Sequence, residues 1–250
     1  MKLALMQPYF FPYIGYFQLL HAADTFVFYD DVTFIKQGWV NRNRILVNGR
    51  AMYITVPVQS ASSFVLIKDT RIASEDKTRW RTKMLTTLHQ AYCRAPFYPE
   101  IMPQLQRMLS YHCISISELA KHSVVETAKL LGVTTTIVPS SSVYHNTHYT
   151  GEQRVIDVCV QAGASTYINA AGGRELYDKE HFVHHNVELL FINNSINPYP
   201  QRLRGKPHRS ISPCSEEQEF VPALSIIDVL MFNGILGTKA LLQNYELVRA

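Results

Sequence analysis

The first apolar run, Leu3-Ala4-Leu5-Met6, stops at Gln7-Pro8 and predicts a short buried strand. Pro12 then predicts a helix start. Ile14, Phe17, Leu20 and Ala23 recur at helical spacing until Asp24 ends the pattern. Thr25-Phe26-Val27-Phe28-Tyr29 has the β-branched and aromatic content of a second strand, which ends on Asp30-Asp31. A strand–helix–strand unit of this size implies parallel strands joined by a right-handed crossover. In open α/β sheets, ligands bind beyond the carboxyl ends of the strands. Here those ends carry the Gln7–Tyr16 loop and the Asp30-Asp31 pair.

Further along, Ile45-Leu46-Val47 and Met52-Tyr53-Ile54-Thr55-Val56 flank Asn48-Gly49, which predicts a hairpin over 45–58 closed by Pro57. A short strand is expected at 64–68. Trp80, Met84, Leu85 and Leu88 form one stripe of a helix over 76–92 that Ala95-Pro96 breaks. Helices follow at 100–111 and 117–131, the second stopped by Gly132. A strand at 134–138 precedes a helix at 150–161, with Gly163 as its stop. A strand at 166–168, a loop at 170–173, a helix at 174–185 and a strand at 187–192 come next. Residues 194–219 read as irregular, and 225–237 as an apolar helix. The alternation predicts an α/β fold in one domain spanning 1–250. Its N-terminal core is a Rossmann-like (HUP-like) parallel sheet, with an inserted or appended mostly helical part.

Composition narrows the class. Of 250 residues, 47% are hydrophobic and 18% charged, so disorder, collagen and coiled coil are excluded as global descriptions. The net charge of +4 is too small to mark a polyanion-binding surface and fits a nucleotide or phosphorylated metabolite. No nucleic-acid partner is expected. Cys93, Cys113, Cys159 and Cys214 form no C-x-x-C pair, so reduced thiols are expected, with neither disulfide nor zinc site. No apolar run reaches 18 residues, and the N-terminal run is too short for a signal peptide. The expectation is a cytoplasmic protein without membrane insertion.

Five clusters carry candidate chemistry. In Pro8–Tyr16, seven of nine positions are aromatic or proline, which predicts a ligand platform at the first strand–helix junction. Gln7, Tyr9, Tyr13 and Tyr16 are its polar tips, and Gly15 would admit close backbone approach. The following helix would aim its N-terminus at an anion. Tyr13-Ile14-Gly15-Tyr16 has the shape of the H-x-G-H signature of HUP-class nucleotidyltransferases, with both histidines replaced by tyrosine. A tyrosine hydroxyl can hydrogen-bond a phosphate but carries no positive charge at pH 7. The second cluster joins Asp30 and Asp31 to Lys36, Trp39, Asn41, Arg42, Asn43, Arg44 and Arg50, with no acid between 36 and 50. Arginine is the usual bidentate phosphate binder.

The third cluster is His145-Asn146-Thr147-His148 with Thr150 and Arg154 at a helix start. His148 is a candidate general base there, and no third metal ligand lies nearby, so no metal is assigned. The fourth is Tyr199-Pro200-Gln201 followed by Arg202, Arg204, Lys206, His208 and Arg209, an anion-seeking run. In the fifth, Ser225 reads as a helix N-cap, with Asp228 completing a capping-box-like pair or serving as a site carboxylate.

The block Met6–Phe17 resembles the WbqC-like family, as do Asp30-Asp31-Val32 through Asn41-Arg42-Asn43-Arg44, Tyr92 with Ala95-Pro96-Phe97, and Leu224-Ser225-Ile226-Ile227-Asp228 with Asn233-Gly234. The resemblance covers nearly the whole chain. It implies a place among proteins of bacterial O-antigen and other surface-polysaccharide clusters, and so work on nucleotide-activated sugars. It brings no reaction and no catalytic residue with it. The reading that follows is a transferase modifying a nucleotide-linked amino sugar, with N-acyl transfer from an acyl-CoA cosubstrate as its candidate chemistry. Asp31, His148 and Asp228 are the candidate bases. Arg42, Arg44 and the 202–209 run are the candidate holders of pyrophosphate or acyl carrier. The alternatives are nucleotidyl transfer on a HUP-like scaffold and a non-catalytic binding or assembly protein of the same pathway. A homo-oligomer is left open.

Overall fold

The computed structural model describes residues 1–59, 64–73, 79–195, 197–201 and 220–250. The basic run 202–209, Cys214, the start of the helix expected from 76 and most of the irregular 194–219 stretch lie outside the described residues.

The chain opens with β1 (Lys2–Met6), α1 (Ile14–Ala22) and β2 (Thr25–Phe28). A hairpin of β3 (Arg42–Val47) and β4 (Arg50–Thr55) follows, then α2 (Arg79–Tyr92), α3 (Tyr98–Leu109) and α4 (Ile116–Leu130). This largely helical part is inserted between β2 and the next strand of the main sheet, β5 (Thr136–Val138). The chain continues through α5 (Gly151–Gln161), β6 (Thr166–Ala170), α6 (Lys179–His184), β7 (Glu188–Asn194), α7 (Ile226–Leu241) and β8 (Tyr245–Arg249).

The main sheet has the order β5-β2-β1-β6-β7-β8. Its first five strands are parallel, with Leu3 opposite Thr25 and Met6 opposite Phe28 at the centre. The edge strand β8 runs antiparallel to β7. Side chains alternate across this sheet. Leu3, Leu5 and Val27 face Val155, Ile156 and Cys159 of α5 and Phe182 of α6. Ala4, Phe26 and Phe28 belong to the larger core on the other face, with Phe17 and Leu20 of α1 and much of α3, α4 and α7. Helices on both faces of a mostly parallel sheet make this a doubly wound, Rossmann-like α/β fold.

Several expected elements change form. In place of a strand at 64–68 there is a single bridge, Thr33 to Leu66, followed by a 3-10 turn over Ile67–Asp69. The Leu66 carbonyl is taken by Asp69 N–H and by Thr70 Oγ1, a local turn that competes with strand pairing. The helix expected at 174–185 divides into a 3-10 turn over Ala171–Leu176 and α6. Asp178 accepts from Glu180 N–H and so starts α6 afresh. The last helix runs on to Leu241 but is broken at Gly234, whose φ is +66°. A Cβ there would meet the Phe97 ring at 2.6 Å, so glycine serves both the bend and the close approach of α3. No strand was expected after that helix, yet Tyr245–Arg249 pairs along β7.

Candidate functional site

β1 pairs with β2 on one side and β6 on the other, so the chain turns away from their carboxyl ends in opposite directions. Ligands of open α/β sheets bind in the crevice at such a switch point. A cavity of about 490 Å³ lies there. Its floor is Leu5, Met6 and Gln7 at the end of β1, and Asn169 and Ala170 at the end of β6. The first turn of α1 supplies Tyr13, Gly15 and Tyr16, while Trp39, Asn43 and Arg44 come from the approach to the hairpin and from β3. Tyr29, Tyr177 and the Gly172-Gly173 pair complete the far wall.

The loop over this cavity is held by long-range hydrogen bonds. Phe10 N donates to Trp39 O at 3.0 Å, and Phe11 N to Ser123 Oγ at 3.0 Å. Asn43 Nδ2 donates to the carbonyls of Phe10 and Phe11, and Ser225 Oγ donates to the latter at 2.7 Å. These contacts keep Phe11 at φ +40°, a conformation that persists only when its surroundings over-determine it. Tyr16 OH donates to Gln7 O at 2.9 Å, fixing the strand end to the helix.

α1 begins without a side-chain cap and without an acid in its first turn. Tyr16 N closes this turn by donating to Tyr13 O at 3.1 Å, and no described side chain offsets the positive end of the helix dipole there. Gly15 has a different use from the one expected. A Cβ there would lie 2.3 Å from the Tyr13 ring, so glycine lets that ring fold over the helix start. Burial pushes the hydroxyls of Tyr9, Tyr13 and Tyr16 further up, so all three stay neutral hydrogen-bonding groups at physiological pH.

Of the expected ligand contacts, Gln7, Tyr9, Tyr13, Gly15, Tyr16, Trp39 and Arg44 share the cavity wall. The others lie off it, most of them committed to the scaffold. Asn41 Nδ2 donates to Val56 O at 2.9 Å. Arg42 braces the preceding turn through Gly38 O and Gln37 O. Lys36 and Thr150 are exposed, and Thr150 starts α5 without a side-chain bond. Asp30 is paired with Lys121 at 2.5 Å and accepts from Ser140 and Ser117. Asp31 and Arg154 form a buried ion pair at 2.6 Å, and Ser141 donates to the same carboxylate. His148 is exposed and its ring lies against Tyr149.

Ser225 is the N-cap of α7, accepting from Ile227 N at 3.2 Å. Asp228, however, does not complete a capping box. Its carboxylate turns inward and accepts from Tyr92 at 2.8 Å, Tyr199 at 2.7 Å and Gln201 at 2.9 Å. Burial in this cluster raises the Asp228 pKa, and the three hydrogen bonds oppose that rise. The expected bases Asp31, His148 and Asp228 thus all stand off the cavity wall.

Asn43 of the second cluster also belongs to the wall, as do Asn169, Tyr29, Tyr177 and Ala223, for which no ligand role was expected. A signal for part of this set was present: Asn169-Ala170 end a strand and run straight into Ala171-Gly172-Gly173, where backbone meets ligand in this class of sheet. A Cβ on Gly173 would lie 2.8 Å from Asn169 Nδ2, whereas one on Gly172 would meet nothing within 4 Å.

Arg44 is the one ionised side chain on the described wall, which carries no carboxylate, imidazole or thiol. Its Nη2 donates to Ala223 O at 3.2 Å, while its sequestered Nε has no acceptor among the described residues. No cluster of three or more His, Cys, Asp or Glu side chains suited to a metal occurs among those residues. No described helix is long and apolar enough to cross a membrane.

Fold and cavity together define a doubly wound α/β protein with an aromatic crevice, carrying the Arg44 cation, at its switch point. The chain belongs to the WbqC-like protein family, whose family model matches residues 7–240. It is similar to the uncharacterized protein Rv1507c of Mycobacterium tuberculosis, with 29% identity over 242 residues, covering 96% of this chain and 95% of that relative. No solved structure matches it.

Proposed function

We propose that this protein is a cytoplasmic transferase acting on a nucleotide-activated amino sugar of bacterial O-antigen or other surface-polysaccharide synthesis, and that the sugar nucleotide occupies the switch-point cavity. One observation carries the reading: the start of α1, which has no side-chain cap, and Arg44 line one aromatic cavity whose described wall holds no acid. Such a wall favours a phosphate group between a stacked ring and a polyhydroxyl ring. The amide side chains of Gln7 and Asn169 are matched to sugar hydroxyls. The assigned reaction is N-acylation. The amine nitrogen attacks an acyl-CoA thioester carbon, the C–S bond breaks, and the amine proton passes to solvent as the thiolate leaves.

The test is incubation with a panel of amino-sugar nucleotides and acyl-CoA donors, followed by mass spectrometry. A mass gain of one acyl group on the sugar is the expected product. No gain with any pair, together with pyrophosphate release from a nucleoside triphosphate, overturns acylation in favour of nucleotidyl transfer.

A second reading is favoured by the absence of any carboxylate or imidazole from the described wall. It is a ligand-binding protein of the same pathway that performs no chemistry. Saturable binding of a nucleotide sugar without product from any donor selects it.

A further inference from the structure

Beside the cavity mouth, four side chains form a continuous stack. The Arg44 guanidinium carbon is 5.7 Å from the Trp39 ring centre. Trp39 stacks on Tyr53 with centroids 6.2 Å apart and an angle of 30°. The Arg42 guanidinium carbon lies 4.4 Å over Tyr53. The hairpin register explains the arrangement. Arg44 stands directly opposite Tyr53 and Arg42 opposite Thr55, so these side chains share one face of β3–β4.

Two members of the stack, Trp39 and Arg44, also line the cavity, whereas Tyr53 and Arg42 do not. The stack therefore leads outward from the cavity without a break. It is rigid at its base, because Trp39 O holds Phe10 N and Arg42 holds the carbonyls of residues 37 and 38. It is also unusually open for aromatic side chains, with Trp39 36% and Tyr53 49% exposed. No Asp or Glu occurs between Val32 and Lys68, so no acid of this segment neutralises the two arginines.

We propose that this stack is a nucleobase subsite, which orients the ligand of the cavity. The base of a nucleotide lies on the exposed Trp39–Tyr53 rings, its phosphates reach Arg44 and the start of α1, and the sugar points inward to Gln7 and Asn169. Aromatic faces take any base, and guanidinium groups add charge for the attached phosphate. The proposal rests on the cavity being a nucleotide-sugar site, and the experiment separates the two.

Trp39 and Trp80 are the tryptophans of this chain. Trp80 lies in α2, away from the cavity wall, and its Nε1 has no partner among the described residues, so Trp80→Phe leaves Trp39 as a clean reporter. In that background, the five common nucleoside monophosphates and glucosamine 1-phosphate are titrated separately by fluorescence and by calorimetry. At least one monophosphate is expected to quench Trp39. Tyr53→Ala is expected to weaken that binding by about tenfold, Tyr53→Phe to preserve it, and neither to alter binding of glucosamine 1-phosphate. If no monophosphate binds while the sugar phosphate does, the subsite falls and the cavity stands. The subsite also falls, and the cavity again stands, if monophosphates bind Tyr53→Ala as tightly as the unsubstituted chain. If neither ligand class binds, both readings fall.

Discussion

The Tyr92 hydroxyl donates to Asp228 Oδ1 at 2.8 Å and accepts from Leu46 N at 3.0 Å, so one oxygen joins α2, α7 and β3. Tyr92 and Asp228 are both fully buried. Replacing Tyr92 by phenylalanine keeps the ring and removes the oxygen. It strands the Leu46 N–H and one carboxylate oxygen away from water, at roughly 1–3 kcal/mol for each group left unpaired. The expected result is a loss of about 3 kcal/mol in urea unfolding with an unchanged m value. A loss below about 0.5 kcal/mol would show that the oxygen is not a structural joint.

The same cluster gives a pH dependence. Burial raises the Asp228 pKa in the folded chain above that of the unfolded chain. The folded state then binds the proton more tightly, so its contribution is complete below the unfolded value of about 3.9 and is lost as pH rises through the folded value. Asp228→Asn cannot titrate. Melting temperatures of both proteins from pH 4 to 8 should show the wild type losing stability relative to the variant as pH rises. A relative gain for the wild type over that range would mean that the hydrogen bonds from Tyr92, Tyr199 and Gln201 outweigh burial.

The buried Asp31–Arg154 pair closes another long-range joint, between the end of β2 and α5. Arg154→Met leaves the Asp31 charge buried with hydroxyl help from Ser141 alone, and a cost of about 3–5 kcal/mol is expected. A double variant, Asp31→Leu with Arg154→Met, should recover more than half of that. Thermal unfolding of the two proteins measures the difference, and a double variant no more stable than the single one contradicts the assignment.

These joints mark what could and could not be read from the chain. The strand–helix–strand opening was legible because its apolar spacing is local, and it carries with it the wall positions Gln7, Tyr9, Tyr13, Gly15 and Tyr16. Trp39 and Arg44 were legible as chemistry, as an arginine and an indole in an acid-free stretch, though not as neighbours of the first helix. Asp31 and Asp228 carried no mark of their partners, which lie 123 positions away for Arg154 and 136 for Tyr92. Asn43 looked like its neighbour Asn41. Only the fold reveals that it pins the carbonyls of Phe10 and Phe11. The strand β8 was missed because a five-residue edge strand has few apolar positions and takes its pairing from β7.

Arg44 supplies the cavity's charge, and its contribution should depend on phosphate in the ligand. Charge-assisted hydrogen bonds contribute roughly 1.5–3 kcal/mol, so Arg44→Ala is expected to weaken a nucleotide sugar by about 10- to 100-fold. A nucleoside without phosphate should lose less than about threefold. Calorimetry at 50 and 300 mM salt adds a second readout, since the wild-type affinity should fall with salt more steeply than that of the variant. Equal losses for both ligands would place Arg44 in the scaffold, holding Ala223 O.

Gly15 and Tyr13 form the last pair with a direct test. The Tyr13 ring occupies the space that a Cβ at position 15 would need, at 2.3 Å from the nearest ring atom. Gly15 is helical and its φ is not positive, so alanine there brings no backbone strain and even adds helix propensity of about 1 kcal/mol. The whole penalty of Gly15→Ala must then come from displacing the Tyr13 ring from the cavity wall. The expected outcome is a stable protein whose nucleotide-sugar affinity is about tenfold weaker. Adding Tyr13→Ala to Gly15→Ala should cost no further affinity, because the ring has already left. A Gly15→Ala protein that binds as the wild type does would show that the ring over the helix start does not shape the site.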